Sequence, residues 1–145
     1  MIPPELARQL IEVYSLVPPI NAVSLLQLFC HIEPLNLSGG TIGYLLRPPR
    51  WVALVNLASQ VGPQLAAAHL LGHYLLHRSG CRGFACGAPT GDARAEAEAA
   101  AFADELVMPA AEVRRLRKAP TRAAAERYGV PPAELTRRWV SLLER

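Results

Sequence analysis

The stretch Ala68-His69-Leu70-Leu71-Gly72-His73-Tyr74-Leu75-Leu76-His77 constrains this chain more than any other. It lacks proline, holds one glycine and follows Gly62-Pro63, so it reads as part of a helix over 63–78. His69 and His73 are four apart, which puts their rings on one face about one turn apart. One helix can offer two imidazoles to one zinc ion at that spacing. The spacing alone is equally met by a histidine pair lodged in a helical core, so the reading depends on finding a further ligand.

In the usual zinc helix of a metalloprotease the order is His-Glu-x-x-His, and the Glu serves as general base toward the attacking water. Here the Glu position is Leu70. The metal half of the motif is present and the chemical half is absent.

A zinc site needs a third protein ligand, and a catalytic one leaves a fourth position open. His77 continues the stripe, but eight residues separate it from His69, about 12 Å along a helix axis. One ion with bonds of about 2 Å cannot take both, so His77 is expected to be exposed or to cap the helix. His31 stands alone beside an extended segment and reads as structural. Cys81 and Cys86 form a Cys-x4-Cys pair in a glycine-rich stretch, which is not a standard zinc pair. The best source of a ligand is the acidic, alanine-rich segment 96–109. Ala93, Ala97, Ala100 and Ala101 are expected to let it pack closely on the histidine helix.

The chain has 145 residues, the usual size of one domain, and 51% of them are hydrophobic. No apolar run is long enough to span a membrane. The start, Pro3-Pro4-Glu5, is unlike a secretory signal, and three cysteines (Cys30, Cys81, Cys86) fit a reducing cytoplasm. Charge is uneven. Residues 114–145 hold nine of the fifteen Lys and Arg but three of the twelve Asp and Glu. Such a basic third can face nucleic acid or an acidic partner, or be a solvated helix surface.

Leu6, Leu10, Val13 and Val17 mark a first helix over 4–16, ended by Pro18-Pro19. Asn21 caps a second. Residues 32–37 read as extended, and 41–46 and 51–57 as two strands of a small antiparallel sheet. After the histidine helix, 79–91 reads as loop. Asp92 or Thr90 caps a helix over 92–107. A short basic helix from Pro109 to Lys118 follows, then helices over 121–128 and 132–143. Helices, a small sheet, then more helices make an α+β domain.

Two ordered motifs, Ala-His-x-Leu-Gly-His-x-Leu-Leu-His and Glu-x-Glu-Ala-x-x-Phe-Ala-x-x-Leu-x-Met-Pro, resemble those of the ImmA/IrrE family of metallopeptidases. The flanks Trp51-Val52-Ala53-Leu54-Val55-Asn56 and Ala124-Ala125-Glu126-Arg127-Tyr128-Gly129-Val130 are similar to that family too. The resemblance covers roughly residues 20–143 and implies a zincin-like fold, with 1–145 read as one domain that has a helix-turn-helix-like part at about 110–145. It implies zinc held by His69, His73 and Glu96, and a helix-turn-helix transcriptional repressor as target, cleaved to release phage-like or stress-response genes. Leu70 stands where the family has its general base, which leaves open whether this chain is an enzyme. Ala100 stands where the family has Asn or Asp, a group that orients ligands, and losses of that kind weaken metal affinity about 10–100-fold. Glu98 is two residues from Glu96 and projects about 160° away on a helix, so it does not replace the base. Asp104 and Glu105 are expected in solvent.

The pair of helices over 121–143 has helix-turn-helix spacing, with Arg137 and Arg138 placed to reach phosphates. In the competing reading Val130, Leu135, Trp139 and Leu142 complete the core, and Pro131-Pro132 removes backbone donors where a recognition helix needs them. The leading expectation is a cytoplasmic, catalytically degenerate zinc-peptidase fold that binds a protein partner and nucleic acid weakly or not at all. Its rivals are a working zinc endopeptidase with a non-standard base and a metal-free DNA-binding module over 121–143.

Overall fold

The computed structural model describes residues 2–37, 39–47, 50–78, 83–86 (backbone only) and 92–144. Helices α1 (Pro3–Val13) and α2 (Ala22–Gln27) precede strands β1 (His31–Leu35), β2 (Gly43–Leu46) and β3 (Val52–Asn56). Then come α3 (Pro63–His77), β4 (Gly83–Cys86), α4 (Ala93–Val107), α5 (Ala110–Val113), α6 (Arg122–Tyr128) and α7 (Pro132–Leu143). The α+β class is as expected. Among the described residues no helix is long and apolar enough to cross a membrane.

The sheet is larger than the expected antiparallel pair. It has four strands in the order β1-β3-β2-β4 and is mixed. β1 runs parallel to β3, while β2 runs antiparallel to both β3 and β4. The fourth strand lies inside the segment read as loop. Its glycine-rich surroundings signal turns locally, and pairing with the open edge of β2 overrides that signal. Cys81, Thr90 and the rest of that segment lie outside the described residues, and for Cys86 only the backbone is described.

Two further boundaries move inward. α1 ends at Val13, and Val13 and Val17 are exposed, because the face that packs on α4 is built around Ala7, Leu6 and Leu10. The basic helix ends at Val113, its last buried residue. Just beyond it the Leu116 carbonyl accepts the Trp139 indole N–H at 3.2 Å, tying this turn to α7.

Asn56, fully buried at the end of β3, holds the sheet's exit in shape. Its amide donates to the carbonyls of Leu37 (2.8 Å) and Thr41 (2.7 Å). Its Oδ1 accepts from the backbone N–H groups of Leu37 (2.9 Å) and Ala58 (3.2 Å). A buried amide with all its partners satisfied fixes the chain around it. From that clamp the chain turns through Gly62, at φ 87°, into Pro63 and the first turn of α3.

α3 is buried along nine consecutive residues from Leu65 to His73. One of its faces meets β2 and β3, another meets α4, and α2 lies alongside. The face α4 offers is Ala95, Ala99, Phe102, Ala103 and Leu106. The expected contact residues Ala93, Ala97 and Ala100 are exposed instead, and Ala101 is half-buried. Phe102 and Leu106 decide the rotation, since burying them turns Ala95 and Ala99 inward with them.

Candidate metal centre

Helix α3 presents His69 and His73 from its buried middle, and α4 presents Glu96 from its first turn. Asp92 caps α4 by accepting from the N–H groups of Arg94 (2.9 Å) and Ala95 (3.3 Å), which fixes where Glu96 begins. The three side chains converge. Glu96 Oε2 lies 2.8 Å from His69 Nε2, and Glu96 Oε1 lies 2.9 Å from His73 Nε2. His69 and His73 are buried and Glu96 is partly exposed, so the cluster opens toward solvent on the carboxylate side.

These residues could hold a metal ion. Two imidazole nitrogens and a carboxylate are a donor set that suits zinc, and the three ligand atoms lie within 4.8 Å of one another. Donors bound to one tetrahedral ion stand roughly 3.4 Å apart for bonds near 2.1 Å. Glu96 stands nearer than that to both histidines, at 2.8 and 2.9 Å.

Electrostatics favour the protonation states that ligation needs. Burial lowers the His73 pKa from 6.5 to about 4, and the neighbouring His69 adds to the effect. A neutral imidazole is what a metal requires. Burial pushes the Glu96 carboxyl up, but the hydrogen bonds and charges of His69 and His73 outweigh it, and its pKa falls below the ordinary value.

Leu70, between the two histidines, is fully buried against the sheet. A Cβ added to Gly43 of β2 would stand 3.0 Å from Leu70 Cδ1 and 2.2 Å from the Leu54 carbonyl oxygen. The bare glycine therefore lets the strand and the leucine side chain close on each other. Beside His69 a pocket of about 310 Å³ is lined by Ile42, Val61, Leu65, Ala100, Ala103 and the Asp104–Arg137 pair, among others. Ala100, one turn beyond Glu96, contributes only a methyl group to that pocket.

His77 is neither exposed nor a cap. It is half-buried, with its Nδ1 3.1 Å from His73 Nδ1 and its Nε2 3.2 Å from Glu98 Oε1. Glu98 faces His77 and not the three converging groups, in line with its angular offset from Glu96. The i, i+4 step from His73 to His77 was the signal for this contact. His31 is exposed and pairs with Glu33 at 2.7 Å, apart from the cluster.

The other acidic residues of α4 are not solvated. Glu105 is 3% exposed, and its carboxylate accepts from Arg138 Nη2 at 3.3 Å and from the Ala110 N–H. Arg138 also donates to the Met108 carbonyl at 3.1 Å. Asp104 takes a two-pronged ion pair from Arg137 at 2.8 and 3.0 Å, and Glu134 takes Arg137 Nε at 3.0 Å. The two arginines considered for phosphate contact thus tie α7 to α4. Val130, Leu135 and Leu142 are buried and Trp139 is half-buried beside them.

A family model described as the IrrE N-terminal-like domain, Peptidase_M78, matches residues 32–140, well over half of the chain and including both histidines and Glu96. No curated protein matches the chain in sequence.

Proposed function

The chain belongs to the IrrE N-terminal-like family of metallopeptidase-fold proteins, and from that premise we propose that it is a zinc-binding member without peptidase activity. In this reading it acts by holding a protein partner, a helix-turn-helix repressor. His69, His73 and Glu96 are the ligands. Zinc bound there would act as a Lewis acid toward a carbonyl oxygen.

The observation that carries the loss of catalysis is Leu70, a fully buried alkyl side chain between the two histidines. Peptide hydrolysis needs a group that takes a proton from the attacking water and delivers one to the leaving nitrogen. Leu70 can do neither. Among the described residues no other carboxylate takes its place. Glu98 is turned to His77, Asp104 to Arg137, and Glu105 to Arg138 and Ala110. The partner reading rests on the family motifs and on the largely apolar pocket beside His69, which would accept an apolar side chain of a bound polypeptide.

Two measurements test the proposal. Protein equilibrated with zinc and desalted should retain roughly one ion per chain, and Glu96→Ala should retain far less, as loss of a ligand requires. A panel of purified helix-turn-helix repressors, offered with zinc present, should include one that is bound and left intact. Absence of zinc from the unmodified chain would sink the metal half of the reading, and failure to hold any repressor would sink the partner half.

A further inference from the structure

Behind the three converging groups, on the side away from Glu96, runs a second line of hydrogen-bonding atoms. His73 Nδ1 lies 3.1 Å from His77 Nδ1, and His77 Nε2 lies 3.2 Å from Glu98 Oε1. His73 and His77 are one turn apart on α3, while Glu98 comes from α4, two residues past Glu96. The same two helices therefore meet twice, once through Glu96 and once through Glu98. The inner half of the line is closed to water. His73 is fully buried, and the His77 side chain is 14% exposed.

We propose that His77 and Glu98 are positioning residues for His73 as a metal ligand, a His73–His77–Glu98 line that holds its ring in place and fixes which nitrogen keeps the proton. The inference rests on His69, His73 and Glu96 being the ligands.

The direction of the line follows from its ends. A neutral imidazole has one N–H and one lone pair. If His73 keeps its proton on Nδ1, it donates to His77 Nδ1, and its Nε2 lone pair points toward Glu96, where a cation would lie. His77 then carries its proton on Nε2 and donates to the Glu98 carboxylate. With a cation on the His73 Nε2 lone pair, both contacts of the line have one donor and one acceptor. Without one, His73 Nε2 and Glu96 would face each other as two acceptors, so this direction belongs to the metal-loaded protein. In the reverse direction His77 donates to His73, and the His77 Nε2 lone pair faces the Glu98 carboxylate, two acceptors in opposition. It also puts the His73 proton on Nε2, the atom the metal needs. Both faults push toward the first direction.

A metal-bound histidine commonly gives its second N–H to a carboxylate, a carbonyl or water, and removing that partner typically costs 10–100-fold in affinity. Here the partner is a second imidazole, with the carboxylate one ring further out. That arrangement supplies orientation on the His73 side. On the Glu96 side Ala100 supplies none.

The test is zinc affinity, measured by competition with a chromogenic chelator on the full chain, together with nitrogen-15 NMR of the histidine rings in the zinc-loaded protein. His77→Ala and Glu98→Ala should each weaken zinc about 10–100-fold. Glu98→Gln keeps an oxygen that accepts from His77 and should recover most of the loss. The NMR spectra should place the proton on Nδ1 of His73 and on Nε2 of His77. Glu98 is at the rim of the helix contact, so Glu98→Ala retains the fold even if His77→Ala does not. Wild-type affinity in Glu98→Ala, or a His73 proton on Nε2, would overturn the inference while leaving the three ligands in place. A wild-type chain that holds no zinc at all would overturn the ligand assignment first, and this line with it.

Discussion

Gly72 of α3 lies against Ala99 of α4 so closely that a Cβ on Gly72 would stand 3.2 Å from the Ala99 Cα and 3.0 Å from Phe102 Cδ1. The neighbour is backbone on one side and a fully buried ring on the other, so neither can give way easily. This contact sets the separation of the two helices one residue before His73 and one turn after Glu96. We expect Gly72→Ala to lower stability by about 1–3 kcal/mol, the usual range for overpacking. The same change should spread His69, His73 and Glu96 and weaken the zinc binding proposed for them. Thermal unfolding and zinc titration of the one variant check both effects.

Much of the site was legible because helical spacing fixes it. Two histidines four apart on a proline-free run must share a face, while Glu96 was legible only through the resemblance of the second motif to the ImmA/IrrE pattern. The rotation of α4 was harder to read, because a run of alanines has no apolar contrast to mark a face. Phe102 and Leu106 held the signal, since stepping back three and seven residues from Phe102 gives Ala99 and Ala95. The burial of Glu105 had no local signal at all. Its partner Arg138 is thirty-three residues away and is brought to it only by the packing of α7. β4 was illegible for a similar reason, since it exists by pairing with the edge of β2. The axial distance that rules out His77 as a partner of His69 on one ion says nothing of its contact with His73.

Stability of the metal-free protein should fall as the solution is acidified from about pH 6.5 toward 4. His73 titrates near 4 when folded and near 6.5 when unfolded, so between these values the unfolded chain binds more protons. Folding is therefore favoured as pH rises across that window and loses the contribution as pH falls. Glu96 acts in the same direction, because its folded pKa is depressed and its contribution is lost on protonation. The gap for His73 corresponds to roughly 3 kcal/mol. Chemical denaturation at several pH values should give that slope, and His73→Gln should flatten it.

Glu105→Ala should be among the most damaging single changes on α4. It leaves Arg138, 7% exposed, with its buried carboxylate partner gone, and it uncaps the Ala110 N–H. Breaking a buried ion pair from one side typically costs about 3–5 kcal/mol. A double change, Glu105→Leu with Arg138→Met, should cost much less than the sum of the single changes, read from denaturation midpoints.

Nucleic-acid binding by the basic third should be weak, unselective and steeply reduced by salt. Arg137 and Arg138 are committed to Asp104, Glu134 and Glu105 and offer little charge to phosphates. Non-specific affinities at physiological salt are typically in the range of about 10⁻⁴–10⁻⁶ M. Fluorescence anisotropy with duplexes of unrelated sequence should give similar curves for all of them. One tight, sequence-selective complex would promote the helix pair over 121–143 to a DNA reader.

The sharpest test of the peptidase question lies at Leu70. A glutamate is close to leucine in size, and at this position it would stand between His69 and His73 on the helix that carries both. There its carboxylate could take a proton from water attacking a bound amide and pass one to the departing nitrogen. Loss of such a group typically costs about 10²–10⁴-fold, so the protein as it stands should show at most trace cleavage of a bound repressor. Leu70→Glu should raise cleavage by a comparable factor, with zinc required. The carboxylate would enter a fully buried position, so some stability should be lost in exchange. If the unmodified chain instead cuts a repressor with zinc, and His73→Ala abolishes the cutting, the base comes from another residue. Leu70 would then be a packing side chain with no bearing on catalysis.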